Sequence, residues 1–196
     1  ELSMEAALMV IGVNQRTAPV AIRERFRVGA SRLYCALYLL ARAEGIEEVT
    51  VLETCNRTEF ILWTSDFTTA ATSVLGFLVR EHGLRLTEWR YFYRLLGDGA
   101  LQHVFRVAAG LDSLVLGEPE ITGQVKSAWA KAQQAGTCGC ILNAVFQKAL
   151  NVSKPVRNDT SIAAAAVSVP YATGELTREV LASLEGRKVL SRRFDE

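Results

Sequence analysis

Two histidines and four cysteines in 196 residues leave little material for a metal centre. Cys138-Gly139-Cys140 is a close pair, but no second close pair joins it, and His82 and His103 do not complete a four-ligand zinc set. Cys35, Cys55, Cys138 and Cys140 also lack the spacing of a disulfide framework, which points to a reducing compartment. No apolar run approaches the length of a membrane span, and the first residues lack the basic-then-apolar order of a signal peptide. Charge of one sign is missing as well. Lys and Arg number 22 against 21 Asp and Glu, so any contact with nucleic acid must come from a local patch rather than an overall field. Neither an internal repeat nor a glycine-rich phosphate loop occurs in the sequence.

What is present is an ordinary globular composition, 49% hydrophobic and 22% charged, long enough for one large domain or two small ones. The most informative stretch runs from Val49 to Phe60. Val49, Val51 and Leu52 predict a short buried strand, and Phe60-Ile61-Leu62-Trp63 a second one. Between them, Thr54-Cys55-Asn56-Arg57 forms a tight connection that places a thiol two residues from an arginine. Nearby positive charge favours the thiolate, which is the nucleophilic form. The alternative is a cysteine acting as a small buried hydrophobe.

Leu8 to Val13 predicts an earlier strand. Arg23, Arg25, Arg27 and Arg32 follow with only Glu24 to balance them locally. They form either a solvated face or a docking surface for an anionic partner such as RNA phosphate. Ser31 to Ala43 predicts a helix with Ser31 as its cap, and Asp66 caps another that runs to about Glu81 and closes at His82-Gly83. Trp89 to Leu96 predicts a fourth strand. The order strand, helix, strand, strand, helix, strand implies an α+β fold: a ferredoxin-like split βαβ subdomain over residues 1–96, with both helices on one face. From Gly97 onward the pattern is helical, over Asp98 to Ala109, Glu118 to Ala135 and Cys140 to about Arg157. This predicts an α-helical subdomain over 97–160. A linker helix is expected within 161–190, beginning at Ser168 or Pro170, and residues 191–196 form a tail without a motif.

Leu101 to Ile121 is the second informative block. It joins a helix bearing His103 to a polar loop and then to a helix N-terminus, whose N–H groups suit an anionic or carbonyl group. Glu118 and Glu120 in that first turn are explained equally well by the helix dipole. His103 is a general acid or base if it lies near a cysteine, and otherwise a structural histidine.

Four segments together resemble the glutamyl-tRNA reductase family: Gly12-Val13-Asn14 to Pro19, Thr54 to Glu59, Ala108 to Glu118, and Ala166-Val167-Ser168-Val169. The resemblance implies that the Cys55 thiolate attacks the ester joining glutamate to tRNA, and that NADPH reduces the resulting thioester to glutamate-1-semialdehyde for tetrapyrrole synthesis. It further implies a glutamate pocket lined by Thr54, Asn56, Arg57, Ser113, Glu118, Pro119, Glu120 and Gln124, with His103 important for activity. Arg57 is expected to contact the substrate carboxylate, or else to pair with Glu59. NADPH is expected to bind a Rossmann domain beyond Val189-Leu190, absent from this sequence together with a helical dimerisation domain; no metal is expected. The implied partners are glutamyl-tRNA, a second copy of the chain in a homodimer, the glutamate-1-semialdehyde aminotransferase and regulatory proteins. The implied location is the cytoplasm of a bacterium or archaeon, or a plastid stroma. Two positions depart from the family pattern, Glu120 where glutamine is usual and Gln15 where histidine is common. Two other readings compete: an esterase that loses glutamate from Cys55 to water, and a non-catalytic module that docks tRNA or a regulator through the Arg16-to-Arg32 arginines.

Overall fold

Strand β1, Ala7–Asn14, sets the architecture because almost all of it is buried. Met9, Ile11 and Val13 point to one face of the sheet and Leu8 and Val10 to the other. A strand apolar on both sides requires a layer of structure on each. The computed structural model, which describes residues 6–113 and 119–158, shows both. Its elements are β1, α1 (Val20–Arg25), α2 (Leu33–Ala41), β2 (Glu48–Glu53), β3 (Arg57–Thr64), α3 (Phe67–His82), β4 (Tyr93–Leu96), α4 (Gly97–Ala108), α5 (Pro119–Ala135) and α6 (Cys140–Asn158). The four strands form one antiparallel sheet in the order β2-β3-β1-β4, the expected split βαβ arrangement.

One face packs against α2 and α3 through Leu37, Leu40, Val74, Phe77 and Leu78. The other packs against α4, α5 and α6, and there Leu8, Val10, Leu52 and Ile61 of the sheet share a core with Val104, Val125, Leu142 and Phe146. The boundary at residue 96 is therefore a change of secondary structure inside one packed body, since the helices beyond it complete the sheet's second face.

Local chemistry explains where several elements begin and end. Asp66 accepts the Thr69 amide at 3.0 Å and caps α3, while Gly83 closes that helix at φ 61°, a left-handed conformation that glycine adopts without strain. Helix α2 starts one residue later than the sequence suggests. Its N-cap is Arg32, without a side-chain bond, so Ser31 does not cap it. β4 is also shorter than expected, because Leu86–Tyr91 forms a 3-10 turn ahead of it. Helix α1 has no counterpart in the sequence reading; it buries none of its residues, so no apolar stripe announced it.

The outer edge of β2 is covered rather than left open. Val49 donates its amide to the Thr137 carbonyl at 2.8 Å, and the Thr137 hydroxyl returns a bond to the Val49 carbonyl at 2.9 Å. Beside them, the Glu48 carboxylate accepts the amides of Gly139, Ile141 and Leu142 at the start of α6. A β-carbon on Gly139 would lie 2.5 Å from Glu48 Oε1, so the glycine of Cys138-Gly139-Cys140 exists to admit that carboxylate. The expected linker helix (161–190) and tail (191–196) lie outside the described residues.

Candidate active site

The connection between β2 and β3 is a turn tied off by one threonine. Thr54 donates its amide to the Arg57 carbonyl at 2.9 Å, and its hydroxyl accepts the amides of Asn56 and Arg57 at 3.1 and 3.2 Å. Such a hydroxyl-closed turn leaves the residue at its tip pointing outward. That residue is Cys55, and it is exposed. The bland alternative of a buried cysteine does not describe it.

Cys55 lies in a cleft of about 50 Å³ lined by Thr54, Cys55, Asn56, Arg57, Ser113, Glu120, Ile121 and Gln124. Three separate parts of the chain meet here: the β2–β3 turn, the segment after α4, and the first two turns of α5. Every residue of the expected pocket whose side chain is described contributes to the lining. Pro119 opens α5, and Glu118 lies outside the described residues. Glu120 is exposed in the first turn of that helix.

Arg57 is 2% exposed and is turned into the protein. Its Nη1 donates to Glu59 Oε1 at 2.8 Å, while its Nη2 donates to the Asp112 carbonyl at 2.6 Å and to Asp112 Oδ2 at 3.0 Å. The pairing with Glu59 thus forms, and Asp112 joins it. Two carboxylates already neutralise this guanidinium, which weakens its pull on a further carboxylate. Asp112 in turn pairs with the exposed Arg16 at 2.9 Å.

Glu59 is the hub of the buried network. Its Oε1 accepts Arg57 Nη1, the Tyr93 hydroxyl and, at 2.8 Å, Nε2 of His103. Burial pushes its pKa up, but the hydrogen bond from His103, the charges of Arg57 and His103, and the Tyr93 hydroxyl outweigh burial and hold it at about 2. An ionised carboxylate only accepts, so the proton shared with His103 belongs to Nε2. Burial and the Glu59 charge raise the Tyr93 phenol above its usual range. His103 does not line the cleft; its ring packs edge-on against Tyr93 and its Nε2 is committed to Glu59.

The sequence reading gave Glu59 no role except as a partner of Arg57 and omitted Tyr93 and Asp112 altogether. Glu59 could have been found, because residues two apart on a strand share a face. Tyr93 and Asp112 meet the network only through strand register and the α4 exit, which local spacing does not reveal.

The arginines before α2 are balanced by carboxylates distant in sequence. Arg25 pairs with Glu88, Arg27 with Glu53 at 3.2 Å, and Arg32 with Glu81. Three of the four arginines are thus paired within the fold, although Glu24 is the only acidic residue beside them in sequence. Hydrogen bonds from Arg85 and Arg25 hold the Glu88 carboxyl at about 2. Arg23 is the exception, because it donates to the Cys55 carbonyl and to Asn56. Of the other thiols, Cys138 is pushed up to about 11 by burial and the Glu48 charge, which makes it a poor nucleophile. Among the described residues no cluster of three metal-ligating side chains occurs, and no helix is long and apolar enough to cross a membrane.

Residues 11–160 match the family model described as the N-terminal domain of glutamyl-tRNAGlu reductase. The chain is 42% identical over 181 residues to glutamyl-tRNA reductase 2 of Koribacter versatilis, covering 92% of this chain and 41% of that protein. It is 40% identical over 184 residues to the glutamyl-tRNA reductase of Geobacillus kaustophilus, covering 93% and 40% respectively. Among solved structures, the glutamyl-tRNA reductase of Methanopyrus kandleri superposes with a TM-score of 0.69 at 30% identity, over 88% of this chain and 39% of that one. The chain thus spans about two fifths of the length of the relatives it matches.

Proposed function

Since the chain belongs to the glutamyl-tRNA reductase family, which it matches through that family's N-terminal domain, we propose that it carries the acylation site of such a reductase. The Cys55 thiolate attacks the carbonyl carbon of the ester between glutamate and the tRNA 3′-terminal ribose. A carbon–sulfur bond forms, the tetrahedral intermediate collapses, and the ribose oxygen leaves and takes up a proton. The product is a glutamyl thioester, whose carbonyl is less resonance-stabilised than that of an oxygen ester. One observation carries this reading: an exposed thiol sits in a cleft assembled from three segments that are remote in sequence.

The roles of the other residues follow from their placement. Thr54 holds the turn. Asn56, Ser113 and Gln124 offer polar contacts to the glutamyl group from the cleft wall. Glu120 stands on the same wall and disfavours a bound carboxylate close to it, so the one free carboxylate of the glutamyl group, that of its side chain, lies away from Glu120. Arg57 acts mainly by fixing the Asp112 segment against the turn, and His103 acts through Glu59 to hold Arg57 rather than on the thiol.

For the reductase as a whole the reaction is NADPH-dependent conversion of the thioester to glutamate-1-semialdehyde, in a soluble, homodimeric enzyme of tetrapyrrole synthesis. The described residues do not fit a dinucleotide. The one place where glycines open a helix after a strand is Gly97-Asp98-Gly99 at the start of α4, and Asp98 puts a carboxylate in the turn where a pyrophosphate would sit.

The test is the intact mass of the chain after brief incubation with glutamyl-tRNA in the absence of NADPH. A glutamyl adduct is expected on the wild-type chain and none on Cys55→Ser. An adduct that persists in Cys55→Ser would overturn the assignment.

A further inference from the structure

Helix α1 is six residues long and fully buries none of them; Ile22 packs against the first core, while another side chain of the helix faces the turn. What it presents there is Arg23. Its Nη1 donates to the Cys55 carbonyl at 3.0 Å and to Asn56 Oδ1 at 3.2 Å, and its Nε is enclosed without an acceptor. Thr54 ties the turn through its own backbone and hydroxyl, and Arg23 ties it from another element, so the backbone of the nucleophile is fixed from two directions. The contact with Asn56 also settles the orientation of that amide. A guanidinium can only donate, so the Asn56 oxygen faces Arg23 and its NH2 group faces away.

We infer that Arg23 is a positioning residue for the Cys55 nucleophile, holding the Cys55 carbonyl and the Asn56 amide so that the thiol and the turn keep one geometry, with a fixed positive charge beside them. The inference rests on the acylation reading, but it concerns the thiol itself and can be read without substrate. Carbonyl and sulfur belong to one residue, so the guanidinium stands within about a Debye length, ~8 Å at physiological salt, of the sulfur. A cation there favours the thiolate over the thiol.

Three variants of the 196-residue chain separate the possibilities: Arg23→Gln, Arg23→Lys and, as a control on the same helix, Arg25→Gln, which loses the pair with Glu88 instead. The first readout is the pH dependence of iodoacetamide alkylation at Cys55, followed peptide by peptide so that the other cysteines do not contribute. Arg23→Gln is expected to move the midpoint up by about half a pH unit or more. Arg23→Lys keeps the charge and a midpoint close to wild type. The second readout is the rate of glutamyl adduct formation. It is expected to fall on the order of 10-fold in both Arg23 variants, because a point charge does not reproduce the two-acceptor contact. Arg25→Gln is expected to change neither.

Coincident alkylation midpoints for wild type and Arg23→Gln would overturn the inference, as would an equal shift in Arg25→Gln or an unslowed adduct rate in Arg23→Lys. If Arg23→Gln fails to fold, the Arg23→Lys adduct rate still decides. A wild-type chain that forms no adduct at all would overturn the acylation reading instead, while the alkylation midpoints would still report on Arg23.

Discussion

A carboxylate with no exposed surface, carrying three donors on one oxygen, persists only if its partners offset the loss of water. Glu59 meets that condition through Arg57, Tyr93 and His103, and it therefore titrates far below an unfolded glutamate. Its folded value of about 2 lies under the ordinary one, so the folded state releases the proton more readily than the unfolded state. The stabilisation is complete above roughly pH 5 and is lost as the pH falls toward 2; it amounts to roughly 3 kcal/mol at neutral pH. Urea midpoints measured between pH 7 and pH 3 should fall for the wild type and change much less for Glu59→Gln. That variant should itself be about 3–5 kcal/mol less stable at pH 7, because it leaves Arg57 facing one carboxylate in place of two.

Gly12 belongs to the same network for a geometric reason. It pairs with Glu59 on one side and Tyr93 on the other, so the hydroxyl and the carboxylate meet across a position with no side chain. A β-carbon there would lie 2.7 Å from the Thr58 carbonyl and 2.8 Å from Glu59 Cγ. Gly12→Ala should therefore cost about 1–3 kcal/mol in thermal or urea unfolding, mostly from backbone displacement. An alanine variant as stable as wild type would mean that the sheet opens there without strain.

Among the elements, α6 depends on one distant side chain. Its first amides are satisfied by Glu48 of β2 rather than by a residue of its own N-terminus. Glu48→Ala should lower stability by about 1–2 kcal/mol and speed amide exchange at Gly139, Ile141 and Leu142 before the rest of the helix. Unchanged exchange at those three amides would mean that water replaces the carboxylate without loss. This cap also shows what could be read from sequence and what could not. The strands around Cys55, the Asp66 cap, the Gly83 stop and the three later helices rest on local spacing, and each lies within a few residues of where the pattern puts it. Glu48, Thr137 and Gly139 meet across some ninety residues, and Arg23 reaches Cys55 across a helix too short to show periodicity. At the site, the thiol and its turn were legible because they are contiguous. The Glu59–Tyr93–His103 cluster depends on β1 pairing with both β3 and β4 and on the packing of α4, which join residues far apart in sequence.

For the whole molecule, the decisive fact is that the sheet is buried on both faces. Leu8, Val10, Leu52 and Ile61 are each at most 4% exposed and are covered by α4, α5 and α6. Exposing those four side chains would cost on the order of 10 kcal/mol, comparable with the entire stability of a domain this size. The strand–helix layer and the helical layer should therefore not unfold separately. Trp89 packs against the first core, whereas Trp63 and Trp129 pack against the second. Variants that keep only Trp89 (Trp63→Phe with Trp129→Phe) or only Trp129 (Trp63→Phe with Trp89→Phe) should give coincident urea midpoints by fluorescence. Because the Cys55 cleft is built from the β2–β3 turn on one side and α5 on the other, the same transition should abolish its selective alkylation. Separate midpoints would mean that the helical layer can leave the sheet, and the cleft with it, while the first core stays folded.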